Sequence, residues 1–582
     1  MLINLQNSSF RICVDYFFLF LSILFILVIV LYSKFNCAHK VAPSGGPEDK
    51  TPPVIVNHFP NKDTTGITHL DYLEIEFSEP IRKVSLSNNY WMIPELSAGI
   101  EAKWKGNRKI RFFLNDSLEQ DQTFVFMIGT GVTDMRNNNL VSPFQLAFST
   151  GDMLDTGAIS GEVFSDTKEK EVYIYAYSLN EVVNIDSLLF KKSRYYTQID
   201  AQGKYRLNYL AFGEYRLIAL SDKDYNSYYS IETDLIGIPF QDVKLDSMNS
   251  IFTNMNFYLI QEDTTAPQIK NIDVLSLNEI SIQFNEDIQP DSVYLVVRDS
   301  LTEVEYPILA SSVDPGESDK ISLFFSDLPP ERSLLLIVRN LKDSFSNIIQ
   351  TDSLIQSFTS PVHPDTLSPS FIGMLPKPGT SDAPYNSAII IQFNSPIDTA
   401  TLLDIFELKN NTSEYVNGKF DFLNLRKPTF TPDTLLRPNM TYNLELNLRD
   451  LKDIFGRSFP DTTLTLSFTT IDMANLGEIS GIVYVPDTSW YQAIIRAEMI
   501  MKQDRYQDIE NTFKEYRIDF VPGGFYFMST VIDVNGNEQW DKGKTVPWKF
   551  SEPFIFKSDT VRVRKRWTTK GINFYFNFRG NE

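Results

Sequence analysis

The stretch of this 582-residue chain with the plainest chemical potential is Asp533-Val-Asn535-Gly-Asn537-Glu-Gln539-Trp540-Asp541. Asp533, Asn535, Asn537, Gln539 and Asp541 place an oxygen-bearing side chain at every second position. If such a loop curls, several hard oxygen donors converge on one cation, which is the chemistry of a calcium loop. A glycine stands at the fourth position and Lys544 at the twelfth, where a bidentate carboxylate would close the shell. Without that closing carboxylate, Ca2+ bound there would be held only weakly. The same composition also makes an Asx-rich hairpin turn that caps its own backbone. A related stretch keeps Asp222, Asp224 and Asn226 and has Ser230 in place of the later aspartate. Glu79 and Glu286, each following an alternating apolar segment, are either ligands or solvated turn carboxylates.

Little else offers reactive chemistry. Cys13 and Cys37, the two cysteines, both lie near the N-terminus, which excludes a disulfide framework or a thiolate metal site in the body. His39, His58, His69 and His363 are scattered without metal-ligand spacing. The HExxH, GxSxG and P-loop patterns are missing. Ser44-Gly45-Gly46-Pro47 precedes no strand-helix unit that would cradle phosphate. No carboxylate pair stands out for glycoside hydrolysis. The expectation is a protein that is not an enzyme and has no cofactor beyond weakly held calcium. A formal charge of −21 disfavours nucleic acid, whose phosphates call for surplus Lys and Arg.

The N-terminus points to export. Residues 16–32, YFFLFLSILFILVIVLY, carry no charge and follow Arg11. The run exceeds a usual signal-peptide core and meets the lower limit of a membrane span. Cys37 then opens CAHKVAPSGGPEDKTPP. This resembles the start of bacterial surface lipoproteins, in which the cysteine is lipidated after cleavage and a Pro/Gly tether follows. Lys34-Phe35-Asn36 departs from the small residues of that cleavage motif. The resemblance implies a lipid on Cys37, and the alternative is an uncleaved helix; either holds the chain at a membrane.

Two patterns recur in the body. In the first, a Pro-containing start leads to a half-buried strand with period-two alternation: Leu73, Ile75, Phe77; Ile280, Ile282, Phe284; Ile389, Ile391, Phe393. Each copy closes on Phe148-Ser149-Thr150, Phe358-Thr359-Ser360 or Phe468-Thr469-Thr470, and the span from first to last Phe is 71, 74 and 75 residues. Thr51-Pro52-Pro53, Phe77-Ser78-Glu79-Pro80-Ile81 and the turn from Asp134 to Asn139 resemble the bacterial Ig-like domain of the SbsA surface-layer type. That resemblance implies a Greek-key sandwich of about seven strands and no catalytic residues. In the second pattern, GAISGEVF (157–164) matches GEISGIVY (477–484), and Asn256-Phe257-Tyr258 matches Asn573-Phe574-Tyr575. It resembles the prealbumin-like or carboxypeptidase-regulatory-like β-sandwich.

The expected fold is all-β: tandem Ig-like and prealbumin-like β-sandwiches behind an N-terminal hydrophobic helix or signal. Residues 1–36 form the signal peptide or anchor and 37–50 the tether. Ig-like sandwiches follow at 51–152, 263–362 and 363–473, and prealbumin-like ones at 155–262 and 474–582. The expected function is that of a membrane-anchored structural or adhesive protein, a rod of five sandwiches with an unidentified protein or glycan ligand. It would be exported to the bacterial surface or periplasm, with the outer membrane as the expected site. The alternative is carbohydrate binding or processing, because four of six tryptophans (Trp490, Trp540, Trp548, Trp567) crowd the last module and could stack on sugar rings.

Overall fold

The computed structural model describes residues 49–579, except 170, 181–188, 190–192, 225, 227, 291–292, 344, 346, 350–352, 487–489, 501–504 and 511–514. The apolar run 16–32, Cys13 and Cys37 lie outside the described residues. Among the described residues no helix is long and apolar enough to cross a membrane.

Alternation decides which side of each strand is buried. In Tyr72–Phe77, Leu73, Ile75 and Phe77 are fully buried. The intervening Glu74 faces outward, where Arg111 Nε meets it at 2.6 Å on the neighbouring strand. Ile55–Phe59, Tyr72–Phe77, Lys109–Leu114 and Ile100–Lys105 form one sheet in that order; Tyr90–Ile93, Thr123–Ile128 and Phe144–Ser149 form the facing one. Phe77, Phe112, Phe126 and Phe148 meet between them. Apart from added two-residue strands, the same order recurs over residues 269–359 and 371–469. Those copies have their own cores around Phe284 and Phe393. First-second-fifth-fourth against third-sixth-seventh is the strand order of an Ig-type Greek key.

Residues 157–258 and 476–575 make two sandwiches of the second kind. Gly157–Phe164 pairs antiparallel with Lys204–Leu210 and parallel with Ile251–Phe252 and Phe257–Tyr258. Leu476–Tyr484 does the same with Glu515–Pro522, Thr568–Thr569 and Phe574–Tyr575. The repeated residues have steric and hydrogen-bonding reasons. A Cβ on Gly161 or Gly481 would stand 2.0 Å from the carbonyl oxygen of Met255 or Ile572, so only glycine fits. Tyr205 and Tyr516 donate their hydroxyls to those same carbonyls, at 2.6 and 2.7 Å. Asn256 and Asn573 accept the N–H groups of Glu162 and Ile482, both at 3.0 Å.

The sandwiches do not form the expected rod. The second and the fifth pack on each other, although two sandwiches separate them in sequence. Phe578 packs against Phe240 and Phe252, with ring centroids 4.6 and 5.7 Å away. Thr253 N–H donates to Phe578 O at 2.8 Å, and Ser551 Oγ donates to Ile238 O at 2.8 Å. The remaining junctions complete a circuit. Arg426 of the fourth sandwich forks onto Glu279 of the third with two 2.7 Å bonds. Tyr385 of the fourth donates to Asp519 O of the fifth at 2.8 Å. The first sandwich rests on the second through Trp91, stacked on Tyr196 at 5.3 Å. Period-two patterns specify strands, but the apolar and charged groups that join sandwiches carry no period, so a rod is the simplest reading of tandem repeats and the wrong one here.

Candidate functional site

Each sandwich of the first kind begins with an aspartate just ahead of its first strand: Asp49, Asp263 and Asp365. Backbone N–H groups two residues on hold these carboxylates, from Thr51 at 3.0 Å, Thr265 at 2.8 Å and Leu367 at 2.9 Å. A second aspartate comes from the turn before the last strand: Asp134, Asp343 and Asp453, all essentially buried. Each accepts the N–H four residues on at 2.6–2.8 Å, which pins its orientation. The third member follows the second strand: Glu79, Glu286 and Ser395.

In the first and middle copies the three carboxylates converge. One oxygen from each of Asp49, Glu79 and Asp134 lies within 4.8 Å of the others, and the same holds for Asp263, Glu286 and Asp343. Burial, with Asp134 and Asp49 adding their repulsion, raises the Glu79 carboxyl above the usual carboxylate range. Burial and the nearby Asp263 and Asp343 push Glu286 up to about 7. Asn138 and Asn347 each bridge two members. Each donates to the turn aspartate, at 2.8 and 2.7 Å, and to the backbone oxygen of the leading aspartate, at 3.1 and 2.8 Å.

The last copy solves the same geometry differently. Arg457 stands where Asn138 and Asn347 stand, and its guanidinium fills the centre. It reaches Asp453 Oδ2 at 2.7 Å, Asp365 Oδ2 at 3.0 Å, Ser395 Oγ at 3.0 Å and Asp365 O at 3.2 Å.

Two of the three sandwiches of the first kind match a known module. Residues 49–150 and 365–470 match the bacterial Ig-like domain family. The chain carries two bacterial Ig-like domains. The segment around 269–359 shares their strand order and lies outside the match. Among solved structures, domains 1–6 of the surface layer protein SbsC are similar at 10% identity, over 88% of this chain and 67% of that one, with a TM-score of 0.16. The N-terminal part of the bacterial S-layer protein SbsC is similar at 11% identity, over 36% of this chain and 45% of that one, with a TM-score of 0.17. L,D-transpeptidase 3 from Mycobacterium tuberculosis is similar at 15% identity, over 25% of this chain and 46% of that one, with a TM-score of 0.15. No curated protein matches the chain.

The Asp533 loop lies outside the Ig-like domains and is held by hydrogen bonds within itself and to Gln492 and Glu552. Buried Asp533 accepts from Gln492 Nε2 at 2.7 Å and from the N–H groups of Gly536, Asn537 and Glu538 at 2.6, 3.3 and 2.8 Å. Asp541 Oδ2 accepts from the amides of Asn535 and Asn537 at 2.6 and 3.3 Å, and the Asn537 side-chain oxygen accepts from Gln539 N–H at 2.9 Å. Its sister loop differs: Asp222 and Asp224 come within reach of Asp234, an aspartate that spacing alone did not point to. Of the four C-terminal tryptophans, Trp540 packs on Tyr258 with centroids 4.9 Å apart, and Trp548 lies 4.6 Å from the Arg216 guanidinium, both across the second–fifth junction. Trp490 packs on Phe576 and Phe578, and Trp567 stays 70% exposed.

Sequence reasoning singled out Glu79 and Glu286 but not their partners. The signal was present: an Asp two residues before a conspicuous Thr or Leu, and an Asp four before an Asn or Arg, recur in all three copies. Pairing them requires knowing that residues some eighty apart meet at one end of a sandwich.

Proposed function

We propose that this chain is a non-catalytic structural or adhesive protein of the bacterial surface, attached to a membrane through its N-terminal segment, with the outer membrane as its site. The carrying observation is how the junctions are built. Aromatic and charged side chains of the Ig-like domains and their companions engage one another, as Arg426 does Glu279 and Trp548 does Arg216, so the sandwiches form a shaped assembly. Bacterial Ig-like domains support placement at the cell surface. Lipidation at Cys37 is the proposed attachment, with the 16–32 helix as the alternative. The protein should sediment with membranes and be cut by protease added to intact cells. Cys37→Ser should leave the precursor at full length. Recovery of the wild type in the cytoplasmic fraction would overturn the reading, and absence of labelled fatty acid would leave the helix as the anchor. The carbohydrate reading rests on Trp567, the exposed tryptophan; a glycan array with the whole protein and with Trp567→Ala decides it.

A further inference from the structure

We propose that the fifth sandwich docks on an anionic phospholipid surface through the turn at residues 564–567 and two phenylalanines beside it. This rests on the membrane attachment proposed above and adds a second point of contact to it. The stretch Arg562-Val-Arg564-Lys565-Arg566-Trp567 carries four cations in a chain of formal charge −21, and no Asp or Glu occurs between Asp559 and Glu582. Residues 564–567 are all exposed. Their backbone is held: Arg566 N–H donates to Leu476 O at 2.6 Å, Trp567 N–H to Arg564 O at 3.2 Å, and Trp567 O accepts Glu478 N–H at 3.0 Å. The cationic side chains are not. Among the described residues none of the four meets a carboxylate; Lys565 donates to Asn475 Oδ1 at 2.8 Å, and the Arg562 guanidinium lies 5.8 Å from the Phe525 ring. Glu478 turns its carboxylate to Arg517 and Thr568 instead, both at 2.6 Å.

The independent observation is the second sandwich, which builds the corresponding turn without this chemistry. At residues 246–250, Ser250 O accepts Ala158 N–H at 2.8 Å, as Trp567 O accepts that of Glu478. The residue directly after the strand is Asp246 there, and it caps the turn by taking the N–H groups of Met248 and Asn249 at 2.9 and 2.8 Å. In the fifth sandwich that residue is Arg564. On the strand before the turn, Lys244 stands opposite Glu214 and pairs with it at 4.0 Å. Its counterpart Arg562 stands opposite Phe525. The fold therefore needs neither the cations nor the exposed rings.

Their chemistry selects the partner. Arg, Lys and Trp side chains donate hydrogen bonds and accept none, so the matching ligand is rich in anionic acceptors, as phosphate is. Phe525 and Phe527, 53% and 51% exposed on the outer side of Gly524–Asp533, add apolar surface alone. Phosphates above hydrocarbon offer both, and Trp together with Arg and Lys suits the membrane–water boundary. Sugar hydroxyls call for acceptors as well as donors, and the side chains of residues 564–567 supply none. Because the N-terminal segment holds the chain at the same membrane, docking is intramolecular and a weak contact is enough.

The test uses the full-length protein reconstituted into vesicles of brominated phosphatidylcholine, whose bromines quench tryptophan on contact, with or without phosphatidylglycerol. Trp567 is read as the difference between the wild type and Trp567→Phe, with unchanged melting as the check on folding. That difference should be quenched when phosphatidylglycerol is present, and should not be in neutral vesicles or in 1 M salt. Arg564→Gln should lower the ratio of docked to free protein about fivefold, the effect of one cation close to an anionic surface. Absence of Trp567 quenching in anionic vesicles overturns the proposal, and so does equal quenching in neutral ones. Binding to an acidic polysaccharide that Arg564→Gln abolishes, without quenching by lipid, also overturns it and makes a polymer the ligand. Flotation with neutral vesicles reads the N-terminal attachment separately, because the turn takes no part there.

Discussion

Glu262 in the second sandwich accepts the backbone N–H of Thr545 at 2.7 Å and its hydroxyl at 2.5 Å, across 283 residues of chain. Tyr229 donates to the same carboxylate at 2.8 Å. All three groups are buried. Removing the carboxylate strands a buried N–H and two hydroxyls, at about 1–3 kcal/mol for each group left unpaired. Glu262→Ala should therefore lower the urea midpoint and, together with Trp540→Ala, enlarge the radius of gyration seen by small-angle scattering. An unchanged radius in the double variant would mean that the second and fifth sandwiches do not close on each other in solution.

The Ig-like cores should respond independently. Phe77, Phe284 and Phe393 are at most 2% exposed and belong to three separate clusters. Each Phe→Ala variant should cost about 3–5 kcal/mol in its own sandwich. Hydrogen exchange resolved by segment reads this directly; protection should fall in the mutated sandwich and hold in the other two.

Gly161 and Gly481 test the packing of the other two sandwiches. Alanine at either position drives a methyl into a carbonyl oxygen, so the strand must shift, at about 1–3 kcal/mol or more. Gly373, whose nearest neighbour is the end of a glutamine side chain 3.8 Å away, is the control. Gly373→Ala should change the denaturation midpoint little, and equal losses at all three glycines would rule out the steric account.

Glu552 gives a pH dependence of known sign. It is buried, and its oxygens accept the N–H groups of Val534 at 2.7 Å and Asp541 at 3.0 Å. Burial lifts its carboxyl to about 7, with the Asp541 and Asp533 charges adding to the push and the two N–H bonds opposing it. The folded state then holds the proton more tightly than the unfolded chain, so this group's contribution is complete below about 4.5 and is lost as pH rises through 7. Glu552→Gln should flatten the stability profile between pH 4.5 and 7. A variant with the same slope as the wild type would place the titration elsewhere.

Strands and repeats were legible because local pattern and fold agree. The Leu73, Ile75, Phe77 alternation predicts the buried face, and the matched Ser-Gly and Asn-Phe-Tyr stretches mark contacts that each sandwich makes with itself. Junctions were not legible, because an aromatic ring gives the same signal whether it fills a core or joins two. Trp540 and Trp548 suggested a sugar platform and instead meet Tyr258 and Arg216. The carboxylate clusters were half legible: Glu79 and Glu286 stand beside readable strands, but Asp134 and Asp343 reach them only through the Greek-key connection.

The contact between the second and fifth sandwiches also sets where a mechanical load travels. A pull applied at residues 49 and 579 passes through the first and second sandwiches and crosses directly to the fifth by way of Phe578, Ser551 and Thr545. Residues 263–473 lie off that path and stay slack, 211 residues of hidden length. Rupture of the shortcut would put both intervening sandwiches under tension for the first time. Their unravelling would then add up to roughly 700 Å of contour at the extended spacing of a peptide chain, so the closure acts as a fuse in series with a long extensible reserve.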